Sequence, residues 1–311
     1  MISCTDFIPA YSELFCWLEE NHGREEIDRY WKTVFKPGSG SPLINFVTAE
    51  GIRGCFTYWS GTLNEEAADF SMYLNEKRGF FKLVMHRCPS KGRLLELQEQ
   101  IGLTPYRDYC LHCDCYRAAC EKVGLRYIYD FQNMDKAGCS ILIYDPKVFD
   151  GRVIMDEDTL VMERNASDNV YFHPSFHASL NRSLNYVGSH YGEVGVRGVL
   201  DRYAEHVILP LMGQVTLETI EQKIREDFRR EQASQLLTLE RNGNVLTAKV
   251  SRCPGVTYLL EKEIEVSPWF RCSTDYLMEN LAARAGCNFE IISYEESTGA
   301  ATYRFTKMEK I

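Results

Sequence analysis

The pattern of apolar and polar positions predicts two helices, then strands, in the first half of the chain. Apolar residues recur at helical spacing over residues 10–20 and 24–34. Residues 69–74 and 80–86 are rich in aromatic and aliphatic side chains and are predicted to pair as a hairpin. The remaining predicted elements are helices over residues 91–101 and 108–123 and strands over residues 125–131 and 140–144.

The second half repeats this order of elements. Helical spacing is predicted over residues 176–190, 194–209 and 216–228. Asn242-Gly243 then separates two strand-like runs, and both residues tolerate the positive φ of a tight hairpin turn. The two halves therefore predict similar series of helices and strands.

Two short motifs align the halves. Cys88-Pro89 follows the first predicted hairpin, and Cys253-Pro254 follows the second. Residues 110–124 and 272–286 each run from a cysteine to a glycine over the same length. From these cysteines onward the halves align without a gap to Ile143 and Phe305.

This alignment predicts an α+β fold made of two tandem repeats. Each repeat is expected to be a four-stranded antiparallel sheet packed with helices. We place the first repeat at residues 1–148, a linker at 149–170 and the second repeat at 171–311. The first repeat has more cysteines and is expected to carry the function.

Composition narrows the class of partner. Of 311 residues, 45% are hydrophobic and 25% charged, which suits a globular protein with a sizeable core. The net charge of −9 argues against a nucleic-acid or anionic-membrane surface, because phosphate binding needs a basic face. The start of the sequence shows no signal-peptide pattern, so a reducing cytoplasm is expected, in which the twelve cysteines stay unpaired.

The densest reactive chemistry lies between Cys110 and Cys120, where four cysteines fall within eleven residues. Helical spacing would bring Cys110, Cys113 and Cys120 together, and Cys88 or Cys139 could join them. Three interpretations stay open: a soft-metal or iron–sulfur site, catalytic or substrate-binding thiols, or buried packing. We assign no metal ligand and no cofactor at this stage.

The candidate catalytic residues are Cys88, Cys110, Asp114 and His112. A thiol at a helix N-terminus, as predicted for Cys88, experiences the positive end of the helix dipole. An acid or imidazole beside a thiol can act as its base, although Cys88 could also be a structural residue. The candidate substrate-binding residues are Cys139, Cys113 and Trp59, and Trp59 could equally belong to the core.

His173 and His177 lie four residues apart. On a helix they would form a two-ligand metal face. The alternative is a helix cap at His173 and a core histidine at His177, because Pro174 and Ser175 suit a helix start.

The first half resembles the L-2-amino-thiazoline-4-carboxylic acid hydrolase-like family. The resemblance rests on Cys88-Pro89, on Cys110 with Asp114 four residues later, and on Gly124 and Cys139. The order of elements is also similar to the fold of 4-vinyl reductase and TRAPP subunits. The second half has Ala301 where the first has Cys139, so it departs from the pattern.

The resemblance implies hydrolysis of a cyclic C–N bond in a small heterocyclic carboxylate. We therefore expect a cytoplasmic small-molecule hydrolase in which a thiol assists the reaction, with a homodimer as one arrangement. The alternative is a non-catalytic sensor module that binds a small ligand, a metal or a cofactor through the same thiols.

Overall fold

The structure is a computed structural model that describes residues 2–34, 42–165 and 171–308. The chain forms two compact units. The thiol unit comprises His22–Glu99 and Thr104–His173. The C-terminal unit comprises Met1–Asn21, Gln100–Leu103 and Pro174–Ile311.

The N-terminal helix α1 (Phe7–His22) packs with the second half of the sequence. The Phe7 ring stacks on Phe176 at a centroid distance of 4.8 Å, and buried Glu13 accepts a 2.6 Å hydrogen bond from Arg202. The prediction that places residues 1–21 in the first repeat is therefore wrong. The helix itself is visible in the sequence, but its docking depends on residues more than 150 positions away.

The thiol unit combines several helices with the strands of one sheet. Its elements in chain order are α2 (Arg24–Val34), α3 (Leu43–Glu50), α4 (Arg53–Glu65), β1 (Asp69–Asn75), β2 (Phe80–Arg87), α5 (Pro89–Ile101), a 3-10 helix (Tyr109–Cys115), α6 (Tyr116–Lys122), β3 (Arg126–Asn133), β4 (Gly138–Tyr144) and β5 (Leu160–Arg164). Buried side chains of α3, α4 and α6 form a hydrophobic core against β1 to β4.

The sheet of the thiol unit has five antiparallel strands in the order β3-β4-β2-β1-β5. Four were predicted. The fifth, β5, comes from the predicted linker and pairs with β1, with Met162 opposite Met72. It covers an edge that would otherwise expose unpaired backbone groups. Residues 166–170 of that linker lie outside the described residues.

The predicted helix over residues 108–123 is also wrong in part. Tyr109–Cys115 forms a 3-10 helix, and only Tyr116–Lys122 is α-helical. A 3-10 helix has three residues per turn, so residues i and i+3 eclipse each other. Cys110 and Cys113 consequently share a face, whereas the α-helical spacing used to place Cys120 with them does not apply.

The C-terminal unit has one sheet packed with helices. Besides α1, its elements are α7 (Phe176–Tyr203), a π-helical turn (Ala204–Ile208), α8 (Leu209–Met212), α9 (Leu217–Arg230), β6 (Leu237–Asn242), β7 (Val245–Val250), α10 (Pro254–Glu261), α11 (Cys272–Arg284), β8 (Cys287–Glu295) and β9 (Ala300–Lys307). The sheet has four antiparallel strands, as predicted in number, in the order β6-β7-β9-β8.

Local turn signals in this unit are confirmed. The β6–β7 hairpin closes with Asn242 opposite Val245, and Gly243 has a φ of 56°. Gly192 interrupts α7 with a φ of 64°, at the break predicted there from sequence. Among the described helices, none is both long and apolar enough to cross a membrane.

Candidate functional site

Cys88 occupies the corner between β2 and α5. Its backbone N–H donates a 2.6 Å hydrogen bond to the Ala137 carbonyl, which fixes the corner against the β3–β4 connection. Its thiol accepts a hydrogen bond from the Lys91 backbone N–H in the first turn of α5. Cys88 thus lies at the helix N-terminus predicted from the sequence, where the thiol faces the positive end of the helix dipole. Burial nevertheless outweighs the helix and raises the thiol pKa well above its ordinary value.

Four thiols converge beside this corner, and we call Cys88, Cys110, Cys113 and Cys139 the thiol cluster. Cys139 reaches it because β4 pairs with β2, with Cys139 opposite Met85. All four are partly buried, and none forms a disulfide. They lie within electrostatic range of one another, so each ionised thiol would raise the pKa of its neighbours.

Tyr129 of β3 closes one side of the thiol cluster. Its hydroxyl hydrogen-bonds with the thiols of Cys113 and Cys139. Burial raises the pKa of the Tyr129 phenol far above its ordinary range, so the hydroxyl keeps its proton. The residue is a polar neighbour of the cluster that sequence reasoning missed, since alternation along a strand marks it only as a residue on one face.

His112 and Cys113 form a thiol–imidazole pair. The His112 Nδ1 donates a hydrogen bond to the Tyr109 carbonyl oxygen, which can only accept. In the neutral ring Nε2 therefore carries no proton, and it lies 3.6 Å from the Cys113 sulfur. Burial lowers the pKa of His112, so the ring is neutral near pH 7 and Nε2 can accept the thiol proton.

The buried carboxyl group of Glu66 lies within electrostatic range of His112. Burial raises the pKa of Glu66, and the imidazoles of His173 and His112 partly oppose that effect. His173 lies 2.7 Å from a Glu65 oxygen and 3.8 Å from a Glu66 oxygen. Sequence reasoning missed Glu66, because a Glu-Glu pair at the end of a helix has the composition of any exposed helix terminus.

Of the two interpretations of His173 and His177, the structure does not form the metal face, and His177 is a buried core histidine. His173 is bound to Glu65, whereas His177 lies 3.0 Å from Glu231 in the C-terminal unit. The helix that would carry both begins at Phe176, so His173 precedes it. A pair at i and i+4 has a common face only inside one helix.

Three other predicted residues lie away from the thiol cluster. Asp114 is half-exposed and forms a two-pronged hydrogen-bonded pair with Arg117, which also donates to the Tyr127 carbonyl. Cys120 is buried against Cys55. Trp59 is 4% exposed and stacks on a core phenylalanine, so it belongs to the core and not to a pocket wall.

The C-terminal unit has an apolar pocket at the corresponding corner. It lies beside Cys253 and is enclosed by the sheet, by the α11 start and by α9. In the sequence alignment its sheet residues Ala248 and Val250 replace the larger Leu83 and Met85 of the first half. The smaller side chains leave room for the pocket. A comparison of side-chain volumes at aligned positions of the two halves could have located this pocket from the sequence.

The thiol pKa values predict slow alkylation of the native protein. Burial raises the pKa of Cys113 from 9.0 to about 12, and only the thiolate reacts. A difference of about three units implies about 1,000-fold less thiolate. Iodoacetamide labelling at pH 8, followed by mass spectrometry, should therefore be about 1,000-fold slower at Cys113 in native protein than in urea. Equal rates in the two states would contradict the buried, protonated thiol.

Comparisons of the chain with protein-family models, curated proteins and solved structures found no match. The geometry of the thiol unit therefore carries the functional argument.

Proposed function

We propose that the protein is a small-molecule hydrolase in which Cys113 attacks the substrate and His112 acts as its base. The observation that carries this proposal is the 3.6 Å contact between the Cys113 sulfur and an imidazole nitrogen that accepts a proton. The Tyr109 carbonyl orients the ring through the other nitrogen. A nucleophile, a base and a group that orients the base are the parts that thiol catalysis requires.

The proposed reaction opens a cyclic C–N bond in a heterocyclic carboxylate. The Cys113 thiol gives its proton to His112 as its sulfur bonds to the electrophilic ring carbon. The ring nitrogen then leaves that carbon and takes the proton from His112. A water molecule, deprotonated by His112, finally attacks the carbon, and the departing sulfur recovers the proton. One water is consumed per ring opened, and the thiol is regenerated.

Lys91 supplies a cation for the substrate carboxylate. It lies in the first turn of α5, and its charge lowers the pKa of Cys110 against the larger effects of burial and Cys113. The N-terminal turn of α5 adds the positive end of a helix dipole. These two groups support a carboxylate position beside the thiol cluster. Burial raises the pKa of the Glu66 carboxyl, which lies within electrostatic range of His112 and is a second group that could exchange a proton with the leaving nitrogen.

The test uses L-2-amino-thiazoline-4-carboxylic acid as substrate and follows ring opening by NMR. Turnover that stops after prolonged treatment with a thiol-selective reagent, long enough to modify the buried Cys113, would support the proposal, with protection by substrate as the control. Absence of both turnover and binding would contradict the assigned substrate class. A covalent adduct on Cys113, detected by mass spectrometry after rapid quenching, would identify the nucleophile.

A second candidate function is a sensor that holds a metal or an iron–sulfur cluster, and the four converging thiols favour it. No three sulfur atoms of the thiol cluster lie within 4.8 Å of one another. Four sulfur ligands of one zinc ion, at about 2.3 Å from it, would be closer than that. An iron–sulfur cluster accepts a wider arrangement, because its four thiolates bind different iron atoms. Iron content and the visible spectrum of anaerobically purified protein separate the two functions.

We further propose that the two units derive from a duplication, on a scaffold like that of 4-vinyl reductase. Three features support this. Each sheet contains two hairpins placed side by side. The second strand of one hairpin, β2 or β7, pairs with the second strand of the other, β4 or β9. Gly124 and Gly286 are aligned and have φ values of 84° and 65°. Ala137 and Gly299 are also aligned, with φ values of 58° and 66°. In this proposal the C-terminal copy lost the thiol chemistry and retained a pocket.

A further inference from the structure

Three buried side chains that are far apart in the sequence lie close together in the C-terminal unit. No local sequence pattern reveals this group. Cys4 lies before α1, His177 is in the first turn of α7, and Glu231 follows α9. One ligand atom from each lies within 4.8 Å of the other two, a closeness that no other three such residues reach within the described parts of the chain. Their exposures are 1%, 1% and 6%.

Hydrogen bonds orient the carboxylate at the centre of this group. The Cys4 backbone N–H donates to one Glu231 oxygen at 2.6 Å. The other oxygen lies 3.0 Å from the His177 Nε2. A buried carboxylate is unfavourable unless it is paired, hydrogen-bonded or bound to a cation. Here the backbone fixes one oxygen and leaves the second facing the imidazole.

The imidazole of His177 is held in place by the backbone of α10. A Cβ atom at Gly255 would lie 2.9 Å from the His177 Nδ1, so a glycine is needed where the helix passes the ring. That Nδ1 is buried and makes no hydrogen bond among the described residues. The Phe270 ring packs edge-on against the imidazole at a centroid distance of 6.4 Å. The ring is thus fixed in orientation by packing.

We propose that Cys4, His177 and Glu231 bind a zinc ion. A thiolate, an imidazole and a carboxylate are the three ligand types that Zn²⁺ uses in proteins, and three of them with a fourth position complete a tetrahedral site. Magnesium and calcium would not select a sulfur ligand. The Cys253 thiol lies within electrostatic range of Glu231 and is one source of the fourth ligand, and water is the other.

Binding would tie three segments of the C-terminal unit together. Zinc displaces the proton of the Cys4 thiol to solvent, so one proton is released from that ligand for each ion bound. The ion would link the residues before α1 to α7 and to the turn after α9. Because the unfolded chain does not present these ligands together, binding favours the folded state.

The experiment titrates the full-length, chelator-treated protein with Co²⁺ and records its absorption spectrum. We expect a thiolate-to-cobalt charge-transfer band that saturates at one equivalent. Cys4→Ser should remove the band, and Glu231→Gln should weaken Co²⁺ binding by about 100-fold. Cys287→Ser, another buried cysteine of the same unit, is the matched control and should keep the band.

The proposed thiol cluster is tested separately in the same assay. Cys113→Ser should leave the Cys4-dependent band intact, so failure of one site is distinguishable from failure of the other. Zinc should also raise the Tm of the wild-type protein after chelator treatment, with no rise in Cys4→Ser. A wild-type protein without a charge-transfer band or zinc-dependent Tm, or a band that survives Cys4→Ser, would overturn the proposal. The wild-type measurements hold even if a variant does not fold.

Discussion

Cys113→Ser lowers kcat/KM for ring opening by about 1,000-fold or more, since a serine hydroxyl beside the same imidazole is a far weaker nucleophile than a thiol. The substitution replaces the sulfur, which lies 3.6 Å from the His112 Nε2, with a smaller hydroxyl oxygen on the same side chain. His112→Gln should cost about 100-fold or more, because it removes the base. Initial rates measured by NMR on purified variants give both values.

The matched control for this prediction is Cys272→Ser. Cys272 opens α11 and is aligned with Cys110, but it belongs to the C-terminal unit and not to the thiol cluster. We expect it to retain wild-type kcat/KM. Circular dichroism checks the fold of each variant. If Cys113→Ser stays active while Cys88→Ser or Cys110→Ser does not, another thiol of the cluster is the nucleophile.

Gly54→Ala is expected to destabilise the thiol unit by about 3 kcal/mol. Gly54 lies where α4 passes closest to α3, and a Cβ there would be 2.3 Å from the Phe46 carbonyl oxygen. Backbone atoms cannot move aside as a flexible side chain can. The two helices would have to separate, which would disturb the core that they share with the sheet. Urea denaturation measures the change in the free energy of unfolding.

Gly61→Ala in the same helix provides the control. A Cβ at Gly61 meets nothing within 4 Å, and the residue is exposed. Alanine there should therefore stabilise the protein by about 0.5–1 kcal/mol, because it favours the helical backbone without a clash. Equal effects of the two substitutions would show that the close approach of α3 and α4 does not limit stability.

Local sequence determined much of the secondary structure and the position of Cys88 at the start of a helix. The hairpin at Asn242-Gly243 and the kink at Gly192 follow from backbone preferences of single residues. Cys88 could be placed at a helix N-terminus because Pro89 favours the first turn of a helix and disfavours its interior. These preferences involve only a few neighbouring residues, so they do not depend on how distant segments of the chain pack.

Sequence spacing failed where the helix type changed. Residues 109–115 have enough helical character to predict a helix, but the 3-10 geometry of that segment sets which side chains meet. Cys110 and Cys113 share a face under either helix type, as predicted, whereas Asp114 pairs with Arg117 and Cys120 lies against Cys55. A residue list alone could not separate these roles.

The tertiary structure alone decided the contacts that span long stretches of chain. The strand β5 pairs with β1 as a fifth strand, and α1 packs with the C-terminal unit. Cys4, His177 and Glu231 meet across more than 220 residues. The physical reason is the same in each case: local preferences choose the elements, but side-chain packing and strand pairing between distant segments choose which functional groups become neighbours.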